Sequence, residues 1–399
     1  MRNGLKRAWQ DTAVRQGTLV FMAARLFFTL WAALMAVLLP PPVDVDEGVR
    51  PYLDEPQLNE GTAGLLLGPW QRFDTQHYMR IARDGYAHEE DSVFPPLYPW
   101  LVRGAAALFG GGAAARLTAA LLISNLATWA LLILLHKVAA SELGADAATR
   151  TLVYFVLFPT GFFLFAAYTE SLFVLLALGS FWAGRNGRYP LAGILGFLAA
   201  ATRLTGWVLV IPLAYFVMRN ESRFTFHVSR QTIYRLLFTA LPPLALVLFM
   251  IYRWQLGLPP LTEMYGRYWH QSTGFPGRDV GTAVQTLFFS GDVRRSEIIA
   301  LALDFASTLL LAVTTMLAFR RLGVGYGLYA AMLLLFMLLP TSPVKPLYSF
   351  SRYTLAFFPT FLLMAQWGRQ SWAHRLILYP SFTLALFYSG QFFIWGWVA

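Results

Sequence analysis

The sequence predicts an all-α integral membrane protein, a single polytopic domain over 1–399 with about eleven transmembrane helices and a long first external loop carrying amphipathic helices. Three observations lead there. Hydrophobic residues make up 57% of the 399-residue chain and charged residues only 13%, against roughly 25% charged in a soluble domain. Apolar stretches long enough for a hydrocarbon core of roughly 30 Å recur along the chain. Between them, basic residues and acids fall on alternate connections, as the positive-inside rule asks of a polytopic protein. The excess of ten positive charges punctuates apolar runs instead of forming one basic face, which argues against nucleic acid as a partner. The chain has no cysteine, so disulfides, thiolate metal sites and cysteine nucleophiles are excluded.

Taken in order, residues 1–16 form a basic segment. Leu19 to Leu39 is the first span, and with no small-residue cleavage site after it, it reads as a retained helix. Arg2, Lys6, Arg7 and Arg15 place the N-terminus in the cytoplasm. The segment 41–110 is then external, and its first part holds Asp44, Asp46, Glu47, Asp54, Glu55 and Glu60. Further spans are expected at about 115–135, 149–166, 170–184, 189–202, 204–218 and 233–253, then at about 298–318, 324–340, 353–367 and 376–396. The inner connections carry Lys137, then Arg185 and Arg188, then Arg219, Arg223, Arg230 and Arg235, and later Arg320, Arg321, Arg369 and Arg375. A second long external segment, 256–296, contains LTEMYGRYWHQSTGF, and a shorter one, 341–353, reads TSPVKPLYSFSRY. Everything chemically unusual thus falls on the external side. Absence of cysteine and compact loops point to a bacterial inner membrane, with the site periplasmic.

The stretch 70–103, WQRFDTQHYMRIARDGYAHEEDSVFPPLYPWLVR, is polar and aromatic in an otherwise lipid-soluble chain. A helix from Asp74 puts Asp74, His77, Tyr78 and Ile81 on one face, and Gly85 is placed to end it. Asp74 reads as an N-cap or as a general base that deprotonates an acceptor hydroxyl. His77 and Tyr78 orient a substrate or pack the rim. Arg72, Arg80 and Arg83 read as arginines snorkelling to lipid phosphates. The run His88-Glu89-Glu90-Asp91 has the groups to bind a divalent ion, but it reads as solvated charge, since its spacing matches no metal motif.

Glu170, in FFLFAAYTESLFVLL, lies in apolar surroundings where an ionisable group is expensive and marks function. Tyr168, Thr169 and Ser171 surround it. Arg203, in LAAATRLTGWVL, offers five fixed donors suited to phosphate, or a structural pair with Glu170. Lys345 and Arg352 form a further cationic corner. Arg25 and Asp304, inside spans, read as helix-to-helix hydrogen bonds.

The elements FDTQHYMRIARDGY, FPPLYPWLVR, YTESLFVLL, ATRLTGWVL and SFSRYTLAFFPTFLLMA together resemble the PIG-V-like family. Its eukaryotic members are the second mannosyltransferases of GPI-anchor assembly, within the GT-C class of polytopic glycosyltransferases that use lipid-linked sugar donors. The resemblance runs from Phe73 to about Ala365, with the order of the elements kept. The family's first pattern begins Trp-Asp where this chain has Phe73-Asp74, so the aromatic and the acid are preserved. The resemblance implies a GT-C-type bundle with Asp74 as catalytic carboxylate and Tyr78, Gly85 and Tyr86 shaping its helix. It matches Tyr168, Glu170 and Ser171 to the second element. Arg203 and Arg352 match the family's arginines, in contact with donor phosphate or acceptor.

The expected reaction transfers mannose from a polyprenyl-phosphate sugar donor to a hydroxyl of a glycolipid or similar acceptor, with inversion. The donor is already activated and carries one phosphate, so no metal or cofactor is expected. Membrane lipids are expected partners. The alternatives are a GT-C transferase of another sugar or acceptor (protein or lipid A), or a lipid or solute transporter or flippase.

Overall fold

The computed structural model describes residues 10–40, 50–220, 229–289 and 295–398. Arg2, Lys6, Arg7, Asp44, Asp46, Glu47 and Arg223, which entered the charge reading, lie outside the described residues. In chain order the first helices are α1 (Thr12–Leu38), α2 (Gly61–Leu66), α3 (Asp74–Asp84), α4 (Leu97–Ala107), α5 (Ala113–Leu143) and α6 (Ala145–Val156). Next come α7 (Glu170–Arg185), α8 (Tyr189–Thr202), α9 (Val210–Asn220), α10 (Arg230–Thr239), α11 (Leu241–Gln255) and α12 (Leu261–Trp269). The last are α13 (Arg278–Phe289), α14 (Arg295–Arg321), α15 (Val324–Met337), α16 (Phe350–Tyr353), α17 (Phe358–Trp367) and α18 (Ser371–Phe393). Strands β1 (Ser272–Thr273) and β2 (Pro340–Thr341) pair antiparallel, Ser272 opposite Thr341.

The protein is an all-α membrane protein. Among the described residues four helices (α1, α5, α14 and α18) are long and apolar enough to cross a bilayer alone, and α10 with α11 forms a pair bent by 47°. Several of the spans read from the sequence are broken instead of continuous. The stretch 149–166 leaves helical geometry after Val156, because Pro159 has no N–H to donate and disfavours helix at the residue before it. A buried turn, Gly161–Leu164, replaces the expected end of that span. Span 353–367 is likewise divided into α16, a short turn and α17, whose second residue is Pro359. Between α8 and α9, Arg203 is extended, at φ −145° and ψ 140°.

The chain forms two compact units. The first holds residues up to Ala87, Leu97–Leu175 and Met364–Val398. Its α1 begins at Asp11, whose carboxylate accepts the Ala13 N–H at 2.9 Å and thereby satisfies an orphan donor of the first turn. Ala13, Gly17, Ala24, Phe28, Ala32 and Met35 are its buried stripe, while Leu19, Met22, Leu26 and Leu30 are exposed. Small residues on the stripe let helices approach, as membrane packing favours. A Cβ on Gly17 would lie 2.9 Å from the Ile133 side chain of α5. Arg25, within α1, donates to the Phe165 carbonyl at 3.2 Å and lies over Trp70 at 4.9 Å, so its hydrogen bond goes to the turn after Gly161–Leu164 instead of to another helix.

The second unit holds His88–Pro96 and Leu176–Leu363. Its core is aromatic. Phe181 meets Tyr326 at 4.7 Å and Phe358 at 5.3 Å, and Tyr329 stacks on Phe358 at 4.8 Å. Tyr329 donates its hydroxyl to the Ala356 carbonyl at 2.9 Å, so the ring's polar tip is satisfied.

Candidate active site

In the first unit, α3 is docked against the segment 167–170 by three successive contacts. The Asp74 N–H donates to the Tyr168 hydroxyl at 3.2 Å, the Thr75 hydroxyl to the Ala167 carbonyl at 3.4 Å, and the Tyr78 hydroxyl and Thr169 Oγ1 share a hydrogen bond of 3.3 Å. The helix runs as the periodicity predicts and stops at Gly85, whose φ of +71° is open to glycine without penalty. Tyr78 and Ile81 are buried on it, whereas Asp74 and His77 are half-buried.

The N-cap reading of Asp74 is corrected. Phe73 occupies the cap, and Asp74 is the first helical residue, where a carboxylate complements the positive end of the helix dipole. Phe73 holds φ +48° and ψ −122°, the geometry of the first central residue of a type II′ turn, which normally calls for glycine. The turn is closed by the Thr75 N–H on the Arg72 carbonyl at 3.1 Å. Holding a phenylalanine there costs about 1–3 kcal/mol. Packing holds it in place, with Phe73 against Trp395 at 5.2 Å, Trp397 at 5.4 Å and Phe392 at 5.8 Å. Strain sits directly before the candidate base, and it fixes the direction in which α3 starts.

Arg72 and Arg80 do not snorkel. Both are 3% exposed. Arg72 donates to the carbonyls of Phe393, Gly68 and Gln71 at 3.1, 2.7 and 3.0 Å. Burial pulls its pKa down to about 10, so it stays charged at neutral pH. Arg83 instead meets Glu55 at 2.9 Å. Glu55 is buried and also takes Arg116 at 2.7 Å, tying the first loop to the end of α3 and the start of α5.

Tyr168 is 1% exposed and Glu170, the first residue of α7, is 2% exposed. A buried Tyr98–Ser124 pair stands behind them. The Tyr98 hydroxyl shares a 2.8 Å hydrogen bond with Ser124, which donates to the Tyr168 carbonyl at 2.8 Å. Burial pushes the Tyr98 phenol far above its ordinary pKa; the Ser124 bond opposes this and the Glu170 carboxylate adds to it. Tyr98 is therefore a neutral donor. The first unit thus brings Asp74, Tyr78 and Tyr168 together, with Glu170 acting on Tyr98 behind them and His77 half-buried on α3.

In the second unit, Arg203 and Arg352 share one ring. Their guanidinium carbons lie 5.1 and 5.4 Å from the centre of Tyr353. Arg203 reaches it from the break after α8, and Arg352 from α16. The turn before α16 contains two left-handed residues, Leu347 at φ +55° and Ser349 at φ +64°. Asp304 of α14 accepts the Ser351 N–H at 2.7 Å, which gives that intramembrane acid a role in holding the Arg352 turn. Lys345, exposed on the same segment, lies 5.6 Å over Tyr348. The acidic run is not simply solvated. Asp91 is fully buried, Glu89 meets Arg267 at 2.6 Å, and Arg253 donates to the Ser92 carbonyl.

A sequence profile of the mannosyltransferase (PIG-V) family matches residues 16–254. The chain belongs to this family. The matched stretch takes in Asp74, His77, Tyr78, Tyr168, Glu170 and Arg203, and ends before Lys345 and Arg352. GPI mannosyltransferase 2 of Yarrowia lipolytica is 30% identical over 162 residues, which cover 39% of this chain and 44% of that protein. GPI alpha-1,6-mannosyltransferase 2 of Rattus norvegicus is 32% identical over 152 residues, 36% of this chain and 31% of that one. The chain thus spans less than half the length of these curated relatives. Among solved structures it is similar to ArnT from Cupriavidus metallidurans bound to undecaprenyl phosphate, with a TM-score of 0.46 and 14% identity over 95% of this chain and 76% of that one.

Sequence reasoning missed Tyr353 as a support of Arg203 and Arg352, and Ser124 and Tyr98 as supports of Tyr168. For Tyr353 the signal was its position directly after Arg352. Ser124 carried none, because a serine in an apolar helix reads as a local bond to its own backbone.

Proposed function

We propose that this chain is a mannosyltransferase of the external face of a bacterial inner membrane. It would move mannose from a polyprenyl-phosphate donor to a hydroxyl of a glycolipid or similar acceptor. Asp74 is the general base: its carboxylate takes the acceptor hydroxyl proton while the acceptor oxygen bonds to the anomeric carbon. The bond from that carbon to the phosphate oxygen breaks, its electron pair leaves with polyprenyl phosphate, and configuration inverts. Arg203 and Arg352, by their chemistry and by resemblance to the family, and Lys345, by its charge alone, take the role of cations for phosphate. His77, Tyr78, Tyr168 and Glu170 orient substrate or the base. The reading assigns no metal or cofactor to the step.

The observation that carries the proposal is the placement of Asp74, half-buried at the first helical position after a strained Phe73 and held through its N–H by Tyr168. Family membership supports the sugar. A transporter or flippase draws on a different observation, the helix breaks at Arg203 and after Tyr353. One assay separates them. Membranes containing the protein, polyprenyl-phosphate mannose labelled in the sugar and a crude lipid extract should yield a labelled, lipid-extractable product. Its anomeric configuration should be opposite to the donor's. Movement of intact donor or acceptor across the bilayer with no labelled product would favour transport.

A further inference from the structure

We propose that a cavity in the first unit, separate from Asp74, binds the phosphate headgroup of an anionic membrane lipid. The cavity has a volume of about 520 Å³ and lies where the C-terminal end of α1, the stretch 59–72 and the end of α18 meet. Two guanidiniums line it, Arg50 and Arg72, and among the described residues no carboxylate does. Arg72 is almost wholly buried, yet its hydrogen bonds go to neutral groups, three backbone carbonyls and the Tyr52 side chain, and its face lies 5.0 Å over Trp395. Arg50 places a second positive charge near enough to act on it. The Arg50 Nε is itself buried with no hydrogen-bond acceptor among the described residues.

Two like charges on one wall, Arg72 buried and Arg50 half-buried, faced among the described residues only by dipoles, are unfavourable unless an anion joins them. The planar, multidentate guanidinium favours phosphate as that anion.

The rest of the lining selects the source of the phosphate. Leu38, Leu39 and Leu65 form the apolar side of the cavity. Leu38 and Leu39 are 61% and 51% exposed and continue the exposed side of α1. A lipid entering from the bilayer sets its phosphate on the arginines and its chain along these leucines. A free phosphate leaves the leucines uncovered. Asp74 does not line the cavity, but Arg72, Phe73 and Asp74 are consecutive and Trp395 touches both Arg72 and Phe73. An occupant therefore braces the turn that aims α3. The assignment does not depend on the transferase reading.

Native mass spectrometry of the purified, delipidated full chain tests it, with short-chain phosphatidic acid against diacylglycerol of the same chains. The expected result is retention of phosphatidic acid about tenfold or more over diacylglycerol, falling to parity in Arg50→Gln. Arg50 is the better target, since truncating Arg72 strips three carbonyls of their donor. An unchanged melting temperature for lipid-free Arg50→Gln shows that the fold is kept, and Arg50→Lys should recover part of the preference. Parity in the wild type, or full preference in Arg50→Gln, overturns the proposal. Inorganic phosphate displacing the lipid at equal concentration assigns the cavity to a free anion and also overturns it. So does a preference that appears only when Asp44, Asp46 and Glu47 are all changed to amides, because the chain's own carboxylates then neutralise the pair.

Discussion

Tyr168→Phe isolates one atom of the candidate site. The hydroxyl it removes accepts the Asp74 N–H at 3.2 Å. That N–H is one of the first donors of α3 and has no partner within the helix. The ring itself stays packed, with Phe163 at 4.9 Å and Phe392 at 5.9 Å, so the local core survives. Loss of a buried acceptor that leaves its donor unmet costs about 1–2 kcal/mol. If that energy holds the base in its productive position, kcat falls by about 5–30-fold. The KM for the donor should hardly move, since phosphate is assigned to other residues. Steady-state transfer with polyprenyl-phosphate mannose reads both constants. A wild-type kcat in Tyr168→Phe would refute the positioning role, and so would a loss expressed wholly in KM.

Four further outcomes rest on the geometry. Tyr353→Ala removes the ring between Arg203 and Arg352, each contact worth about 0.5–1 kcal/mol, and should raise the donor KM about fivefold with kcat nearly kept. Asp304→Asn retains an acceptor for the Ser351 N–H and should preserve the donor KM, whereas Asp304→Ala should raise it; steady-state kinetics of the two variants decide. Glu55→Ala leaves Arg116 buried without its partner and should lower stability by about 3 kcal/mol, seen as an earlier thermal transition. Burial pushes Asp279 above its usual 3.8 despite the bond from the Ser342 N–H. A raised folded-state value favours the protonated form, so this residue's contribution is full below 3.8 and is lost as pH rises through the folded value. Asp279→Asn should therefore flatten that part of the pH–melting curve and melt higher than wild type at pH ~7.5.

Helix α3 was legible because its signals are local. An acid opens the helix, Tyr78 and Ile81 recur on one face, and Gly85 ends it, all within eleven helical residues and a cap. The first span, read over Leu19 to Leu39, was equally plain as an apolar run and lies mostly within α1. The fate of Arg72 was not legible, because its acceptors include Phe393, which lies 321 positions away. A buried arginine and a snorkelling one have the same sequence neighbours. The cap position was misread for another reason. Aspartate is the better N-cap by propensity, but the aromatic packing of Phe73 against residues from the end of the chain overrides it. The broken spans were hidden by hydropathy, which counts Phe158-Pro159 as apolar without noting that proline ends the hydrogen-bond ladder. For Asp304, an acid in a membrane helix was plain to read, but not its target, a backbone N–H on a turn 47 residues later.

The most direct test of the account is release of polyprenyl phosphate from polyprenyl-phosphate mannose, with a crude lipid extract as acceptor, by wild type and by Asp74→Asn. The substitution keeps size and removes the base. Release by the wild type, with almost none by the variant at an unchanged melting temperature, is the predicted result. Equal release by both would contradict the assignment of Asp74 and leave it a helix-start residue with no part in the chemistry.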